Sequence, residues 1–399
     1  MSRHPLLTPE ADRAGRWVQQ GSGTAAFRAF IPNPLPPDPP IRIDSGLQLQ
    51  LEAASLALGR LDGIGRLLPG PEALLYSYVR KEAVLSSQIE GTQSTLRDLL
   101  LHENDAAPGA PLDDVREVSS YIAALNHGLE LLGTLPMSLR LIREVHRALV
   151  TGGRGTERAP GEFRTSQNWI GGSRPGNAAF VPPPAHEVLP ALGNLEVFLH
   201  DDRVSTLLKA GLAHAQFETI HPFLDGNGRV GRMLITLVLV ANGALSNAWL
   251  YMSLYFKRHR SAYYERLQRV RTHGEWEAWL GFYLDGILTV AGQATQTIGE
   301  LLRLFEEDRQ AVRRHRGGSI YQQAAAQSNL VVFEHLREKM MLTIPETVTA
   351  CSLSKPTVAR ALKDLIALGI ASELTGAKRN RVFLYDRYLQ ILNADVERS

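Results

Sequence analysis

Apolar residues recur at intervals of three and four over most of the chain, which is the spacing of one face of an α-helix. The first such pattern follows Asp44, a side chain suited to cap a helix, and it stops at Pro69-Gly70-Pro71. Similar patterns predict further helices over residues 72–90, 113–132, 138–150, 188–199, 204–219, 233–242 and 289–316. The pattern therefore predicts a mainly α fold built as a helical bundle.

Two segments interrupt this helical pattern. Prolines crowd positions 32–40, where they fix φ and remove backbone donors, so the first forty residues are predicted to form an extended arm. Residues 160–184 are too rich in Gly and Pro for a helix and predict a small β-hairpin flap.

The sequence changes character after Gly317-Gly318, where we place a domain boundary. Beyond it the pattern predicts helices and then two short strands around a polar tip. The predicted helices are 331–339, 345–350 and 355–368, and the strands are 369–370 and 382–385. Helices followed by a β-wing are typical of a winged helix-turn-helix domain, which we predict for residues 331–399.

Composition and charge limit the function classes. The 399 residues carry 43 Lys and Arg against 41 Asp and Glu, which excludes chain-wide binding of a polyanion. The single cysteine, Cys351, excludes an internal disulfide framework and a multi-cysteine zinc site. The first residues hold no apolar stretch of signal-peptide length, and the most apolar stretch, 233–241, is too short to span a bilayer. We expect a soluble, cytoplasmic protein without a membrane partner.

The candidate chemistry concentrates in residues 221–232 (HPFLDGNGRVGR), a loop that opens a helix. Free backbone N–H groups and the positive dipole end of a helix start attract anions, and glycines let the backbone approach them closely. Asp225 is a hard oxygen ligand suited to Mg²⁺, and His221 can accept a proton near neutral pH. Arg229 and Arg232 can neutralise phosphate oxygens. The loop thus combines a base, a metal ligand and a phosphate cradle.

Three other interpretations of this loop are weaker. An EF-hand register would put Phe223 and Leu234 at ligand positions, and neither side chain binds Ca²⁺. A Walker A site needs Gly-Lys-Ser/Thr, and no such tripeptide closes the loop. A purely structural loop with a buried histidine does not account for so many chemically different groups in one short stretch.

The loop resembles the signature of the Fic (Fido) family, His-Pro-Phe-x-x-Gly-Asn-Gly-Arg-x-x-Arg, and it matches at every specified position. The flap sequences 161–164 (GEFR) and 180–182 (FVP), and residues 215–220 before the loop, also look like the family. The resemblance implies a Fic-type helical bundle. It also implies transfer of AMP from ATP to a Ser, Thr or Tyr hydroxyl of a protein, with release of pyrophosphate.

The same resemblance implies a role for each loop residue. His221 would be the general base on the target hydroxyl, Asp225 would hold Mg²⁺ between the α- and β-phosphates, and Arg232 would bind the γ-phosphate. The other ATP-binding positions would be Gly226, Asn227, Gly228, Arg229 and Gly231. Phosphorylating relatives carry Lys where this chain has Gly228, so the glycine favours nucleotidyl transfer.

Two aromatic residues beyond the loop extend the resemblance to the nucleotide base. Tyr263 and Tyr264 resemble the pair near which family members seat the adenine, and an aromatic face is suited to stack on a base. The alternative is that both are core tyrosines packed between helices.

An inhibitory motif precedes the loop. Ser86, Glu90 and Gly91 resemble the family's inhibitory signature Ser/Thr-x-x-x-Glu-Gly/Asn. Because Ser86 and Glu90 lie four apart on one helix face, Glu90 can project into a neighbouring site. There its carboxylate would pair with Arg232 and occupy the place of the γ-phosphate, which implies autoinhibition. The alternative is a solvated glutamate near a helix C-terminus.

Together these features divide the chain into four predicted parts. They are an N-terminal arm with the inhibitory helical region (1–110), a Fic catalytic domain (111–290), a connecting helix and linker (291–330) and the winged helix domain (331–399).

As a DNA reader, the last part would use residues 355–363 as recognition helix and Lys378, Arg379 and Arg381 as a phosphate-contacting wing. Its ten Lys and Arg against eight Asp and Glu favour DNA only weakly, so a protein-docking or dimerisation arm stays the alternative.

The expected partners are ATP with Mg²⁺, an unidentified target protein and the chain itself by automodification. DNA and a second copy of the chain stay open for the C-terminal domain. Two other functions stay open: a DNA-binding regulator whose Fic-like domain senses nucleotide without turnover, and a Fic enzyme that uses another nucleotide or removes AMP. The intact His221 favours the transferase, because a sensor has no use for a base.

Overall fold

α-Helices make up most of the fold, as the apolar spacing predicts. The computed structural model describes residues 12–68, 70–104, 109–151, 159–315, 320–376 and 381–397. The helices before residue 316 are α1 (Ser45–Leu67), α2 (Glu72–Ile89), α3 (Leu96–Glu103), α4 (Leu112–Leu132), α5 (Leu139–Thr151), α6 (Ala185–Leu199), α7 (Thr206–Ile220), α8 (Asn227–Ala241), α9 (Ser253–Arg258), α10 (Arg260–His273) and α11 (Trp276–His315). Among the described residues, no helix combines the length and the apolar character that a bilayer crossing requires.

The ends of α1 and α2 follow the signals in the sequence. Asp44 caps α1 by accepting a hydrogen bond from the Leu47 N–H (2.8 Å). Glu90 is the C-cap of α2, and Gly91 follows with a φ of 105°, a conformation that favours glycine. Glu90 therefore stands at the exact point where the chain leaves the helix.

The N-terminal arm contains a strand pair, so the predicted extended arm is wrong for residues 15–32. β1 (Gly15–Gln20) and β2 (Phe27–Pro32) form an antiparallel hairpin. Phe30 is buried, and its N–H donates to the Val181 carbonyl (2.9 Å), which joins the hairpin to the flap. The crowded prolines begin only at the end of β2, where they stop the strand.

The flap has little regular secondary structure. Residues 160–184 contain a short 3₁₀ turn and a single antiparallel bridge between Ile170 and Phe180. This bridge agrees with the predicted hairpin-like segment. The flap packs against the loop that joins α7 to α8 through hydrogen bonds described below.

The centre of the bundle is the pair α7 and α8. Every residue from Leu207 to Ile220 in α7 is buried, and so is α8 from Val230 to Leu239. α6, α10 and α11 pack against α7, while α4 and α5 pack against α8. The loop between the two central helices is therefore held by rigid elements on both sides.

Helix α11 begins thirteen residues before the predicted start at Thr289. Its first turns bury Trp276, Trp279 and Tyr283, which continue the helical spacing toward the N-terminus. Gly286 interrupts the sequence pattern in this region because glycine is a poor helix former. Packing explains it: a Cβ at Gly286 would lie 2.8 Å from the Met252 Cε, so the close approach needs a glycine.

The C-terminal residues form helices and a small sheet in the predicted order. The elements are α12 (Ile320–Lys339), β3 (Met341–Thr343), α13 (Ile344–Cys351), α14 (Lys355–Ala367), β4 (Ser372–Glu373), β5 (Val382–Leu384) and α15 (Asp386–Glu397). β5 lies between β3 and β4 and is antiparallel to both. β3 was not predicted, α12 begins eleven residues before the predicted 331, and β4 lies beyond the predicted 369–370 because Gly369 (φ 71°) ends α14.

This C-terminal module packs directly on α2. The Tyr388 hydroxyl in α15 hydrogen-bonds the Ser77 hydroxyl in α2 (2.7 Å), and Lys81 donates to the Leu392 carbonyl (2.7 Å). Of the predicted wing residues, Arg381 pairs with Glu373 (3.7 Å), while Lys378 and Arg379 lie outside the described residues. The winged-helix assignment and the four domain boundaries stay predictions.

Candidate active site

Residues 221–226 form a tight loop between α7 and α8. His221 ends α7 in the left-handed conformation, with a φ of 49°, and Gly226 precedes α8 with a φ of 77°. Asn227 closes the loop, because its side chain accepts from the Phe223 N–H (2.8 Å) and donates to the Phe223 carbonyl (2.8 Å). The side-chain amide of Asn227 thus serves the loop, which leaves its backbone N–H at the helix start for an anion.

His221 is fixed and kept neutral by its surroundings. Its carbonyl accepts hydrogen bonds from Arg164 Nε (2.9 Å) and Asn168 Nδ2 (3.3 Å). Burial and the nearby cations Arg271 and Arg164 lower the pKa of His221 to about 3. The imidazole is therefore uncharged at physiological pH and able to accept a proton.

An open cavity of about 320 Å³ lies in front of the loop. It collects most of the predicted loop residues together with two further carboxylates. The lining residues are Glu90, Glu117, His221, Leu224, Asp225, Gly226, Asn227, Gly228 and Arg229. A base, a carboxylate, a glycine-rich helix start and an arginine thus face one space.

Asp225 is oriented by its neighbours on both sides. Its Oδ1 accepts from the Gly226 N–H (2.7 Å) and lies 3.7 Å from Arg229 Nη2. His146 holds the Asp225 carbonyl through Nε2 (3.1 Å), since its Nδ1 accepts from the Gly161 N–H (2.9 Å). Burial lowers the pKa of His146 to about 4, so the ring stays neutral and keeps this tautomer.

The residues at the cavity fit a metal ion shared with a nucleotide. Mg²⁺ is usually held by one or two carboxylates together with phosphate oxygens and water. The Asp225 side chain is 33% exposed and lines the cavity. The described residues hold no cluster of three or more His, Cys, Asp and Glu side chains arranged for a metal. The role of Asp225 as the Mg²⁺ ligand stays a prediction.

Glu117 is a site residue that the sequence analysis missed. It comes from α4, lines the cavity and lies 3.4 Å from Arg229 Nη1. Arg229 is buried, and its ion pairs with Glu117 and Asp225 hold the guanidinium at the cavity wall. No local sequence signal marks Glu117, because its partner is 112 positions away.

Arg232 is bound by Ser86 and Glu90 of α2. Its Nη2 donates to Glu90 Oε1 (2.7 Å) and to the Ser86 carbonyl (3.1 Å), and its Nε donates to Ser86 Oγ (2.8 Å). The Arg232 side chain is 1% exposed, whereas 38% of Glu90 stays exposed. Burial alone would raise the pKa of Glu90, but the charge of Arg232 and its hydrogen bond lower it below its ordinary value. The carboxylate is thus ionised at neutral pH.

Two glycines of α8 allow close approach of carboxylates. A Cβ at Gly228 would overlap the Glu90 carboxylate, and one at Gly231 would overlap Glu218 Oε1. Glu90 therefore lies against the backbone of the first turn of α8, where the helix start also favours an anion. A carboxylate occupies the cradle that the sequence assigned to phosphate.

The two predicted adenine residues differ in the structure. Tyr263 is 1% exposed, stacks on Phe256 and hydrogen-bonds His214 Nε2 (2.9 Å) through its hydroxyl. His214 in turn donates from Nδ1 to the Gly231 carbonyl (2.7 Å), so Tyr263 supports α8 from the core. A ring packed in this way agrees with the alternative of a core tyrosine, and the adenine role of Tyr263 stays a prediction. Tyr264 is 43% exposed and keeps the predicted role as a proposal.

Two family models match the chain over the elements that build this site. The Fic/DOC family N-terminal model matches residues 48–130, and the Fic/DOC family model matches residues 136–239. The chain therefore carries a Fic/DOC family N-terminal domain and a Fic/DOC family domain. Its Fic domain includes the whole loop, and its N-terminal domain includes Ser86, Glu90 and Glu117.

Curated relatives match about half of this chain. The chain is 28% identical over 204 residues to the protein adenylyltransferase Fic of Drosophila erecta, covering 49% of this chain and 38% of that protein. The equivalent protein of Drosophila virilis is 29% identical over 204 residues, which cover 49% of this chain and 39% of its own length. The match thus spans about two fifths of these relatives.

Solved Fic structures share the fold. A Fic family protein from Desulfovibrio desulfuricans G20 superposes with a TM-score of 0.58 at 18% identity, covering 87% of this chain and 97% of that one. Fic-1 from C. elegans superposes with a TM-score of 0.50 at 17% identity, covering 63% of this chain and 74% of that one. At these identities the likeness establishes the fold of the Fic region.

Proposed function

We propose that this Fic protein is an adenylyltransferase that moves AMP from ATP to a Ser, Thr or Tyr hydroxyl of a protein. The observation that carries the proposal is the neutral His221 beside a glycine-rich helix start, with Asp225 and Arg229 facing the same cavity. A nucleotide sensor would need the cradle and the cation but not a base held neutral. The names of the Drosophila relatives agree with this activity.

The chemistry assigns each group a simple task. The target hydroxyl oxygen attacks the α-phosphorus of ATP while His221 takes its proton, and pyrophosphate leaves with the electron pair of the broken P–O bond. Mg²⁺, when bound at Asp225, would neutralise charge on the phosphates. The backbone N–H groups at the start of α8 and the Arg229 guanidinium would bind the remaining phosphate oxygens.

We also propose that Glu90 inhibits this activity. Its carboxylate occupies the guanidinium of Arg232 and lies against Gly228, where a γ-phosphate would need both positive charge and space. ATP would then bind with a displaced γ-phosphate and a misaligned α-phosphorus. The parent protein is therefore expected to label itself and its target slowly.

The position of the radiolabel tests the proposed reaction. Full-length protein incubated with Mg²⁺ and α-labelled ATP should acquire covalent label, whereas γ-labelled ATP should leave none. Label from γ-labelled ATP alone would indicate phosphoryl transfer instead. Label from neither donor, with ATP bound, would favour a sensor. Parallel incubations with labelled GTP, CTP and UTP determine which nucleotide is the donor. Loss of label from the labelled protein after transfer to pyrophosphate-free buffer would indicate that the protein removes AMP.

Asp225→Ala should lose the Mg²⁺ dependence of ATP binding together with turnover. The reason is that Asp225 is the only carboxylate of the HPFLDGNGRVGR loop and lines the cavity. Isothermal titration with ATP, with and without Mg²⁺, measures the effect. Asp225→Asn is the matched control for shape, since it keeps an oxygen that can accept the hydrogen bond from the Gly226 N–H but lacks the negative charge. An unchanged Mg²⁺ dependence in both variants would remove Asp225 as the ligand.

A further inference from the structure

We propose that Arg164 is a positioning residue, which locks the flap to the catalytic loop and so fixes His221 in the conformation that aims its ring. The inference rests on the proposed function only in taking the His221 ring to be the general base. Arg164 belongs to the flap sequence GEFR, which lies outside the family signature of the loop.

The side chain of Arg164 bonds carbonyls on both sides of the junction. On the loop side it donates to the carbonyls of His221 (2.9 Å) and Ile220 (3.3 Å). On the flap side it donates to the carbonyls of Ser166 (3.0 Å) and Pro183 (2.7 Å). One planar guanidinium thus connects two segments that are far apart in sequence, which a lysine with its single ammonium cannot reproduce.

The backbone of Arg164 adds to the same connection. Its N–H donates to the Pro222 carbonyl (2.8 Å), so three successive carbonyls of the loop, residues 220–222, point toward this one residue. Asn168, also in the flap, donates to the carbonyls of His221 (3.3 Å) and Phe223 (3.0 Å). The flap therefore determines the path of the loop backbone.

That path is unfavourable without such support. His221 has a positive φ of 49°, which is an unfavourable conformation for an L-residue other than glycine. Strained backbone of this kind persists only where the surroundings fix it, and it occurs often at functional sites. Releasing the His221 carbonyl would let φ return to negative values and would swing the Cα–Cβ bond away from the cavity.

Arg164 is also a buried cation that no carboxylate neutralises. It is 3% exposed, and within the described part of the chain its bonding partners are backbone carbonyls only. Burying an unpaired charge costs free energy of folding, so stability alone does not explain an arginine at this position. The charged groups near the His221 ring are Arg164 from the flap, Arg271 from α10 and Glu90 from α2, and the two cations help lower the pKa of His221. The cation thus favours the neutral base.

Two variants separate position from charge in the full-length protein carrying Glu90→Gly. Arg164→Lys keeps the cation but loses the fork of hydrogen bonds, and Arg164→Met loses both. Arg143→Met is the matched control, because Arg143 donates to the Gly161 carbonyl of the flap (2.7 Å) and to Glu162 but, among the described residues, to none of the loop carbonyls. Thermal melts establish that each variant folds, and Arg164→Gln replaces the Met variant if that one does not.

Both Arg164 variants should lower kcat of self-modification by about 10–100-fold, the cost of misplacing a catalytic group, with the Kd for ATP unchanged within about threefold. Arg143→Met should keep kcat within about threefold of the Glu90→Gly parent. NMR titration of the His221 ring should give a higher pKa in Arg164→Met than in Arg164→Lys. Unchanged kcat in both variants, or a Kd that rises as much as kcat falls, would overturn the proposal.

The NMR titration also keeps this inference separate from the proposed reaction. If the Glu90→Gly parent transfers no AMP, the proposed function fails while the ring titration and the backbone shifts of residues 220–222 still report on the loop. Shifts of those backbone signals in Arg164→Lys and Arg164→Met, absent in Arg143→Met, support the positioning role. Identical spectra in all three variants contradict it.

Discussion

Glu90→Gly should raise self-adenylylation by about tenfold or more, which corresponds to ~1.4 kcal/mol or more of barrier height. The expected cause is release of Arg232, whose Nη2 now lies 2.7 Å from Glu90 Oε1. With the carboxylate gone, the guanidinium and the space above Gly228 become available to a γ-phosphate. The initial rate of label incorporation from α-labelled ATP measures the effect.

Two controls make this activation specific. Glu130→Gly removes an exposed glutamate near the end of α4 and should leave the rate unchanged, since it lies outside the cavity lining. Glu90→Gly combined with Arg232→Ala should be no faster than Arg232→Ala alone, because activation and phosphate binding both require the same guanidinium. Activation that persists without Arg232 would show that Glu90 acts by another route.

His221→Ala, in the Glu90→Gly background, should reduce AMP transfer by at least about a hundredfold, the lower end of what a positioned general base contributes. Binding of ATP should change little, because the base acts on the incoming hydroxyl and not on the triphosphate. The low pKa of His221 adds a second expectation: protonation of this ring should not limit the rate between pH 5 and pH 8.

Single-turnover labelling and calorimetric ATP titration together measure this prediction. Asn168→Ala is a useful comparison, since it loosens the His221 carbonyl but leaves the imidazole in place and should cost less than His221→Ala. An equal loss of ATP affinity and of turnover in His221→Ala would contradict the role of base.

The loop chemistry was predictable because it is local. Residues 221–232 carry the candidate metal ligand, base and phosphate cradle in one contiguous stretch, and Gly226 and Asn227 shape the turn between α7 and α8. The contact between Glu90 and Arg232, which are 142 positions apart, was predicted only from the family resemblance. What the sequence did not indicate is that the Asn227 side chain serves the loop instead of the ligand.

Residues that act across the fold were not predictable from spacing. Glu117 meets Arg229 only after α4 packs against α8, and Arg164 meets His221 only after the flap closes on the loop. Tyr263 was assigned from a resemblance, and only the packing of α10 against the core reveals its bond to His214. The surroundings of all three residues depend on tertiary contacts, which the spacing of apolar residues does not indicate.

Intact mass spectrometry tests whether His221 transfers AMP at a site that Glu90 restrains. The parent chain, Glu90→Gly and Glu90→Gly with His221→Ala are incubated with ATP and Mg²⁺ and weighed without digestion. We predict a mass increase of one or more adenylyl groups that is strong in Glu90→Gly, weak in the parent and absent when His221 is replaced. No increase in Glu90→Gly would contradict the inhibitory role of Glu90, and an equal increase without His221 would contradict the role of His221 as base.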